Sequence, residues 1–550
     1  MTEKDKKISK NITYFLFIVF FFIGSFTFTD YGMWIDEEFQ RSSGFYWLNY
    51  ILSFTSLSEL KDLALSKSNQ ISGFTLPLPV NYPYYGIIFD VTAALLELIL
   101  KINDPKNYFY FRHFLNFIFF FIGTVFFYKL LLNRFLDYNI SLVGTLFFIL
   151  SPRIYGASFF NNKDVVFLSL FVIGLYFLFK TIDKFSYKNI LIFSIFAAVC
   201  TAHRILGILL PLSFIIFYLL SVLSKKENFD DIFKIPFLLF FYFIFLILLW
   251  PVLWSSPIEN FISAFKFFSN QTLEIRMLFN QEYVFSNFLP FSYNFLWIFI
   301  TTPILYLMLF LIGYFQIFRR FLIKFLNIKE KTYYYDLWRG NSEKKDLLVL
   351  VIITIVIIYL TSFDVILYNG WRHTYFINIF MIYIATHAFY RINIFLKKKS
   401  IKNVHYYITI LFLVSIIYKM ISYHPFQNTY FNNYFNKISH ENFEVDYDGL
   451  SGKRFLEQIL ILESGKKSIN IGVASWYPLE RSIQLLDRKD RKKINVVGQN
   501  FEKADYLYTN FISEVEKTDN YKYKIPSNFT SIDKFILNNI VIYEVFKKNN

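Results

Sequence analysis

A single cysteine, Cys200, stands in 550 residues, which excludes a disulfide framework and a cysteine-based metal cluster. Charge is also sparse: 18% of residues are charged against 55% hydrophobic, and the mean hydropathy is +0.39. That balance excludes an intrinsically disordered chain and is not the composition of a water-soluble enzyme. Internal repeats and low-complexity linkers are absent too. What is abundant is Phe (73) and Tyr (41), together with Lys, Ile and Asn. An AT-rich genome favours those codons, so the aromatic excess is not itself a functional signal. The formal charge of +15 does not point to nucleic acid, because in so apolar a chain the distribution of charge matters more than its sum.

Apolar runs long enough for a bilayer, roughly 20 residues each, recur from residue 12 to residue 421. Eleven spans are expected: 12–29, 112–132, 139–152, 164–180, 189–202, 205–223, 235–254, 294–318, 347–364, 373–390 and 404–421. No small-residue cleavage site follows the first, so it reads as a retained span. With the N-terminus (Lys4, Lys6, Lys7, Lys10) in the cytoplasm, the inner loops 1–11, 133–139, 180–188, 224–234, 319–346 and 391–403 hold 24 Lys/Arg in 79 residues. The outer loops 30–112, 151–163, 203–204, 255–293 and 365–372 hold 12 in 145. This is the positive-inside bias.

Residues 86–102 (GIIFDVTAALLELILKI) test the assignment. If they crossed, every later loop would invert, and Asp90 and Glu97 would share one helical face in lipid. An amphipathic helix lying on the outer surface is expected instead. Beyond residue 421 the composition becomes ordinary. Strands are expected at 469–475, 494–498 and 505–510, a helix at 478–486, and two strands joined by an Asn-Asn turn at 535–546. The expected fold is thus a polytopic α-helical membrane protein, residues 1–421, followed by a small α/β domain, 422–550. With an odd number of spans, that domain lies outside the cell.

Ionisable residues gather at the outer ends of the spans. Asp36 and Glu37 follow the first, Arg112 and His113 open the second, and Arg153, Lys163 and Asp164 lie between the third and fourth. His203 and Arg204 form the turn after the fifth, and Arg372 and His373 precede the tenth. Each has a plain alternative: an Arg at a span end snorkels to headgroups, an acidic pair starts a helix, Lys163 and Asp164 pair locally, and His203 is a satisfied core histidine. Together, however, a mostly cationic set with an isolated carboxylate pair suits a phosphorylated substrate and a base. Glycosyl transfer from a lipid phosphate fits: cations stabilise the leaving phosphate, and a carboxylate takes the proton of the attacking hydroxyl. No DxD pair or dinucleotide fold stands on the cytoplasmic side.

The motifs WIDEE, SPRIYGASFFNNKD, AHR and WRH, with a long first outer loop, resemble GT-C glycosyltransferases over residues 12–421. The resemblance is to the bacterial branch related to dolichyl-phosphate-mannose protein mannosyltransferases and the lipid A aminoarabinose transferase. The tail segments FQNTYFN and FEVDYDGLSGKRFLEQI are similar to those of some bacterial members. AHR stands where several relatives carry Lys-Gly, and the inserted soluble domain of the eukaryotic mannosyltransferases is absent. The resemblance implies Asp36 as general base, with Glu37 as orienter or alternative. It implies Lys163, Arg204 and Arg372 on the donor phosphate; the charges at the span ends themselves add Arg153 and His373 to that set, with Asp164 orienting Lys163 and Arg112 and His203 in support. A polyprenyl-phosphate sugar is the expected donor and an envelope hydroxyl the acceptor, at the outer face of a bacterial inner membrane. No cofactor and no dedicated metal cage are expected, although the carboxylates could take a divalent cation. The rival is a transporter or flippase of a lipid-linked or phosphorylated solute, which calls for inverted repeats and a mid-membrane site.

Overall fold

The computed structural model describes residues 3–68, 82–224, 226, 229–269, 274–326, 337–363, 365–399, 403–432, 439–512 and 520–549. Parts of the expected loops 30–112, 224–234, 255–293, 319–346 and 391–403 lie outside the described residues. Among the described residues nine helices are long and apolar enough to cross a membrane: Asp5–Thr27, Pro105–Phe135, Asp164–Asp183, Ile205–Leu223, Asp231–Leu249, Ile304–Ile323, Asn341–Ser362, Ile377–Lys398 and Val404–Ser422. Three expected spans are shorter or broken. The third is the first arm of a bent pair, Tyr138–Ile149 and Pro152–Phe160, at 64° to each other. Pro152 explains the break, because it has no N–H to continue the ladder and disfavours a helical residue before it. The fifth, Tyr187–His203, is 17 residues long. The expected span 294–318 is corrected: it divides into Tyr293–Thr301 and Ile304–Leu326 on either side of Pro303, for the same reason.

Helix starts follow local chemistry. Asp104 caps Pro105–Phe135 by accepting from the Lys106 N–H at 3.0 Å, and Pro105 needs no partner in the first turn. Asp137 caps Tyr138–Ile149 and Ser186 caps Tyr187–His203 in the same way. Asp164–Asp183 is the centre of the bundle, 83% buried, whereas Asp231–Leu249 is 17% buried and turns its apolar surface outward. Pro105–Phe135 and Tyr187–His203 flank the central helix, and Ile377–Lys398 packs along Ile304–Leu326.

Helix ends sort into two levels by their contacts. At one, Arg134 donates to Asp346 at 2.7 Å and Lys345 to Asp183 at 2.6 Å. At the other, the segments after residues 27, 160, 203 and 371 meet one another and the C-terminal region.

Three short helices, Glu37–Leu52, Ser58–Ser68 and Ile88–Ile99, pack together at the second level. Twelve residues of helix span only about 18 Å, too little to cross. The amphipathic helix expected over 86–102 is Ile88–Ile99, and its acidic face turns to the protein. Asp90 and Glu97 are buried on the protein side, while Leu95 and Ile99 are exposed. The reason is the set of buried cations opposite these carboxylates.

The C-terminal region carries a mixed sheet. A separate hairpin, β1 (Arg276–Phe279) and β2 (Glu282–Phe285), precedes it. The sheet comprises β3 (Ile469–Val473), β4 (Ile494–Gly498), β5 (Tyr506–Thr509), β6 (Phe529–Leu537) and β7 (Ile540–Lys548), in the order β4-β3-β5-β7-β6. β3 is parallel to both neighbours, and β5–β7 and β6–β7 are antiparallel. The Asn538-Asn539 turn has positive φ at both positions, the backbone a two-residue hairpin requires. The helix expected at 478–486 shrinks to Glu480–Ile483, and the longer helix of this region is Ser451–Leu462. Its Phe455 lies against Tyr508 and Tyr543 of the sheet.

Candidate functional site

Helix Glu37–Leu52 begins with three consecutive carboxylates, and the fold sends each to a different partner. Asp36, at the N-cap position, makes no capping bond; its Oδ2 accepts from Arg372 Nη1 at 3.1 Å, and its side chain is 40% exposed. Glu37 is buried, with Oε1 accepting the Trp34 N–H at 2.8 Å and both oxygens 3.0 Å from His113 Nε2. Glu38, also buried, accepts from Gln484 and lies 3.5 Å from Arg481 Nε. Only Asp36 presents a carboxylate to an open surface.

Arg372 sits in a short turn before Ile377–Lys398, its guanidinium over the rings of Trp34 (5.3 Å) and Tyr368 (4.9 Å). Burial works against its charge, but Asp36, Tyr368 and Asp164 outweigh it and hold its pKa well above the usual value. His373 stands edge-on to Tyr368 at 4.5 Å, and its Nδ1 has no hydrogen-bond partner. Burial, reinforced by Arg372 and Arg204, pushes its pKa well below the usual range, so the ring is neutral. Asp164 binds Arg204, and its other oxygen accepts from Asn161 at 2.8 Å. The charges of Asp36, Asp164, Arg204 and Arg372 all act on the half-buried Tyr368, so the two ion pairs lie near one another around it. Arg153 borders it, donating to the Tyr430 carbonyl at 2.9 Å and stacking on Phe431.

Other expected residues are engaged elsewhere. Lys163 faces Asp90 at 3.4 Å and donates to the Gly86 carbonyl at 3.2 Å. Gly86 is required there: a Cβ would stand 1.9 Å from the His203 carbonyl. The expectation that Asp164 orients Lys163 is therefore corrected. Adjacent at a helix start, the two side chains diverge, and each finds a partner from another segment. His203 Nε2 lies 3.0 Å from the Lys163 carbonyl oxygen and is buried. Arg112 is 3.5 Å from Glu97, which also holds Arg41 and Lys67. None of these three bonds to Asp36 or Arg372.

Residues from the C-terminal region complete the cluster. Asp448 accepts from Asn428 at 2.9 Å and feels Arg372, Arg153 and Asp36; burial raises its pKa. Tyr447 is buried among Arg372, Glu444, Tyr368 and Asp36. The signal available in the sequence was FEVDYDGL, three acids in a stretch rich in aromatics, distant in sequence from the first loop. Among the described residues no three His, Cys, Asp or Glu side chains converge as a metal site. A cavity of about 410 Å³ lies apart from the cluster, lined by Tyr283, His440, Phe511 and Lys524 among others. A carboxylate open to a ligand, backed by guanidinium groups and a neutral imidazole, can accept a proton from a hydroxyl while cations face an anion. No protein-family model matches this chain, and no curated protein sequence matches it.

Proposed function

We propose that the chain is a GT-C-type glycosyltransferase of a bacterial inner membrane, moving a sugar from a polyprenyl-phosphate donor to an acceptor hydroxyl at the outer face with inversion. The observation that carries this reading is Asp36, the one partly open carboxylate of its trio, held 3.1 Å from Arg372 beside the Asp164–Arg204 pair. In the reaction Asp36 takes the acceptor proton as the oxygen attacks the anomeric carbon. The bond from that carbon to the phosphate oxygen breaks, and the phosphate leaves with the electron pair toward Arg204, Arg153 and Arg372. Arg372 holds the Asp36 carboxylate in place for this task.

We propose eleven crossings, the nine long apolar helices with Tyr138–Ile149 and Tyr187–His203 added. Ten of these lie between residue 27 and residue 422, an even number that returns the C-terminal region to the level of Asp36. That is where Lys453 meets the carbonyls of Thr29 and Asp30. With the Lys/Arg bias, this level is the outer one and the N-terminus is cytoplasmic.

The test is mass spectrometry of lipids and envelope glycans from a deletion strain carrying wild type or equally expressed Asp36→Asn. Accumulated polyprenyl-phosphate sugar and an envelope lacking that sugar are expected of the variant. A lipid and glycan profile identical to wild type would sink the assignment of Asp36.

A further inference from the structure

The loop that carries Asp36 buries Tyr31, Met33 and Trp34, and much of its backbone is held from the C-terminal region. Between Thr29 and Glu38, four backbone carbonyls accept from residues beyond 422, while those of Trp34 and Asp36 accept from the Glu37 and Gln40 N–H groups at the helix start. Lys453 Nζ donates to the carbonyls of Thr29 (2.6 Å) and Asp30 (3.3 Å), Tyr477 Oη to that of Met33 (3.0 Å), and Arg481 Nη1 to that of Ile35. Side chains follow the same pattern. Asp30 lies 2.8 Å from His424 Nε2, the Tyr31 hydroxyl donates to Gln427 at 2.9 Å, and Glu38 is met by Arg481 and Gln484. Gly32 marks how closely the two segments approach: a Cβ there would stand 2.1 Å from the Leu450 carbonyl. Arg481 is the central member, bonding one residue before Asp36 and two residues after it.

We infer that the segment 450–484 is a clamp that fixes the Asp36 carboxylate against Arg372, and that Arg481 is a positioning residue acting through Asp36. The catalytic meaning of the clamp rests on the transferase reading; its physical action on the loop does not. A loop whose backbone carbonyls are satisfied from another segment loosens when that partner is removed, because the buried carbonyls then lose their donor. The C-terminal region is therefore part of the catalytic apparatus and not an appendage beside it.

The test separates the two claims. In the full-length protein, Cys200 is fully buried, so Asp36→Cys supplies a single reactive thiol; its modification rate by a membrane-impermeant maleimide reports the loop. Adding Arg481→Ala is expected to change that rate about tenfold, the effect of losing charge-assisted hydrogen bonds, with Arg481→Lys restoring most of it. Arg491→Ala, which removes a different link at Asp104 (2.6 Å), leaves the rate at the parent value. An unchanged rate in Arg481→Ala overturns the clamp. Should that variant fail to fold, Tyr477→Phe removes a single donor from Met33, and the same comparison decides. With Asp36 intact, Arg481→Ala is expected to lower sugar transfer by about tenfold or more while donor lipid is still retained, with partial rescue by Lys. Normal transfer alongside a changed labelling rate overturns the positioning role. Silence of Asp36→Asn in the same assay sinks the assignment of Asp36 as base and leaves the labelling result to decide the clamp.

Discussion

Glu97 is the test of how deeply helices Glu37–Leu52, Ser58–Ser68 and Ile88–Ile99 are built into the protein. Its carboxylate is fully buried and faces three cations: Arg41 Nη2 at 2.6 Å, Arg112 Nη2 at 3.5 Å and Lys67 Nζ at 3.6 Å. Arg41 is further held by the Tyr108 ring at 3.7 Å. Glu97→Gln keeps the shape and removes the charge, leaving three buried cations without their counterion. At an effective dielectric of about 20, each pair near 3.5 Å contributes about 5 kcal/mol of attraction before desolvation is subtracted. Breaking such a group by removing one partner costs about 3–5 kcal/mol. The variant has one escape. Burial, with Arg41 and Arg112 adding to it, already pulls down the Lys67 pKa against the pull of Glu97; without Glu97 it falls further. A base whose folded pKa lies below its unfolded value binds fewer protons when folded, so stability of Glu97→Gln rises as pH is raised from neutral. The assay is amide hydrogen exchange over 37–52, 58–68 and 88–99 in purified protein, at neutral and alkaline pH. Fast exchange at neutral pH, partly recovered at alkaline pH, is expected. Exchange equal to the parent at both would mean that helix Ile88–Ile99 presents its acids to water.

Two further outcomes follow from the same geometry. Per folded molecule, Arg372→Gln is expected to lower transfer by about 10²–10³-fold, as the loss of a charge-stabilising donor does, whereas Lys163→Met falls mainly on folded yield, since it leaves buried Asp90 unpaired; assays of transfer and of folded protein on both variants check the contrast. Glu444 has its pKa raised from 4.5 to about 8 by burial, against opposing pulls from the Leu278 N–H and Arg276. The folded form therefore holds a proton that the unfolded chain releases. Stability of the C-terminal region falls as pH rises from about 4.5 to about 8, by at most about 5 kcal/mol, and Glu444→Gln flattens that slope when exchange of residues 439–549 is followed against pH.

The helices were legible in the sequence because a membrane span is a local property: length and hydropathy of one segment suffice. Breaks were less so. Pro303 lies inside an unbroken apolar run, and hydropathy averages across it. The Asn538-Asn539 hairpin could be read because two αL residues have a distinctive composition. The cluster itself was only partly visible. Asp36 and Arg372 stood out as charges at span ends, but the partner of each buried charge is a matter of long-range packing. Lys163 beside Asp164 in sequence pairs with Asp90 in space, 73 positions away. Asp448 and Tyr447 were hidden for the opposite reason: in a polar tail, an acid and a tyrosine are unremarkable until the fold carries them to the membrane level.

The three consecutive acids explain why this position resists simple substitution logic. At a helix start the backbone dipole tolerates all of them, and successive side chains point about 100° apart, so one sequence step changes the partner completely. Glu37 is bound by His113 and by the Trp34 N–H, and Glu38 by a residue more than 440 positions away. Neither can swing to the Asp36 position without leaving a buried cation, or a buried N–H, unsatisfied. Proximity in sequence therefore gives no redundancy: the two glutamates hold the helix start in place, and that fixed start is what leaves Asp36 free to face Arg372 and the open surface.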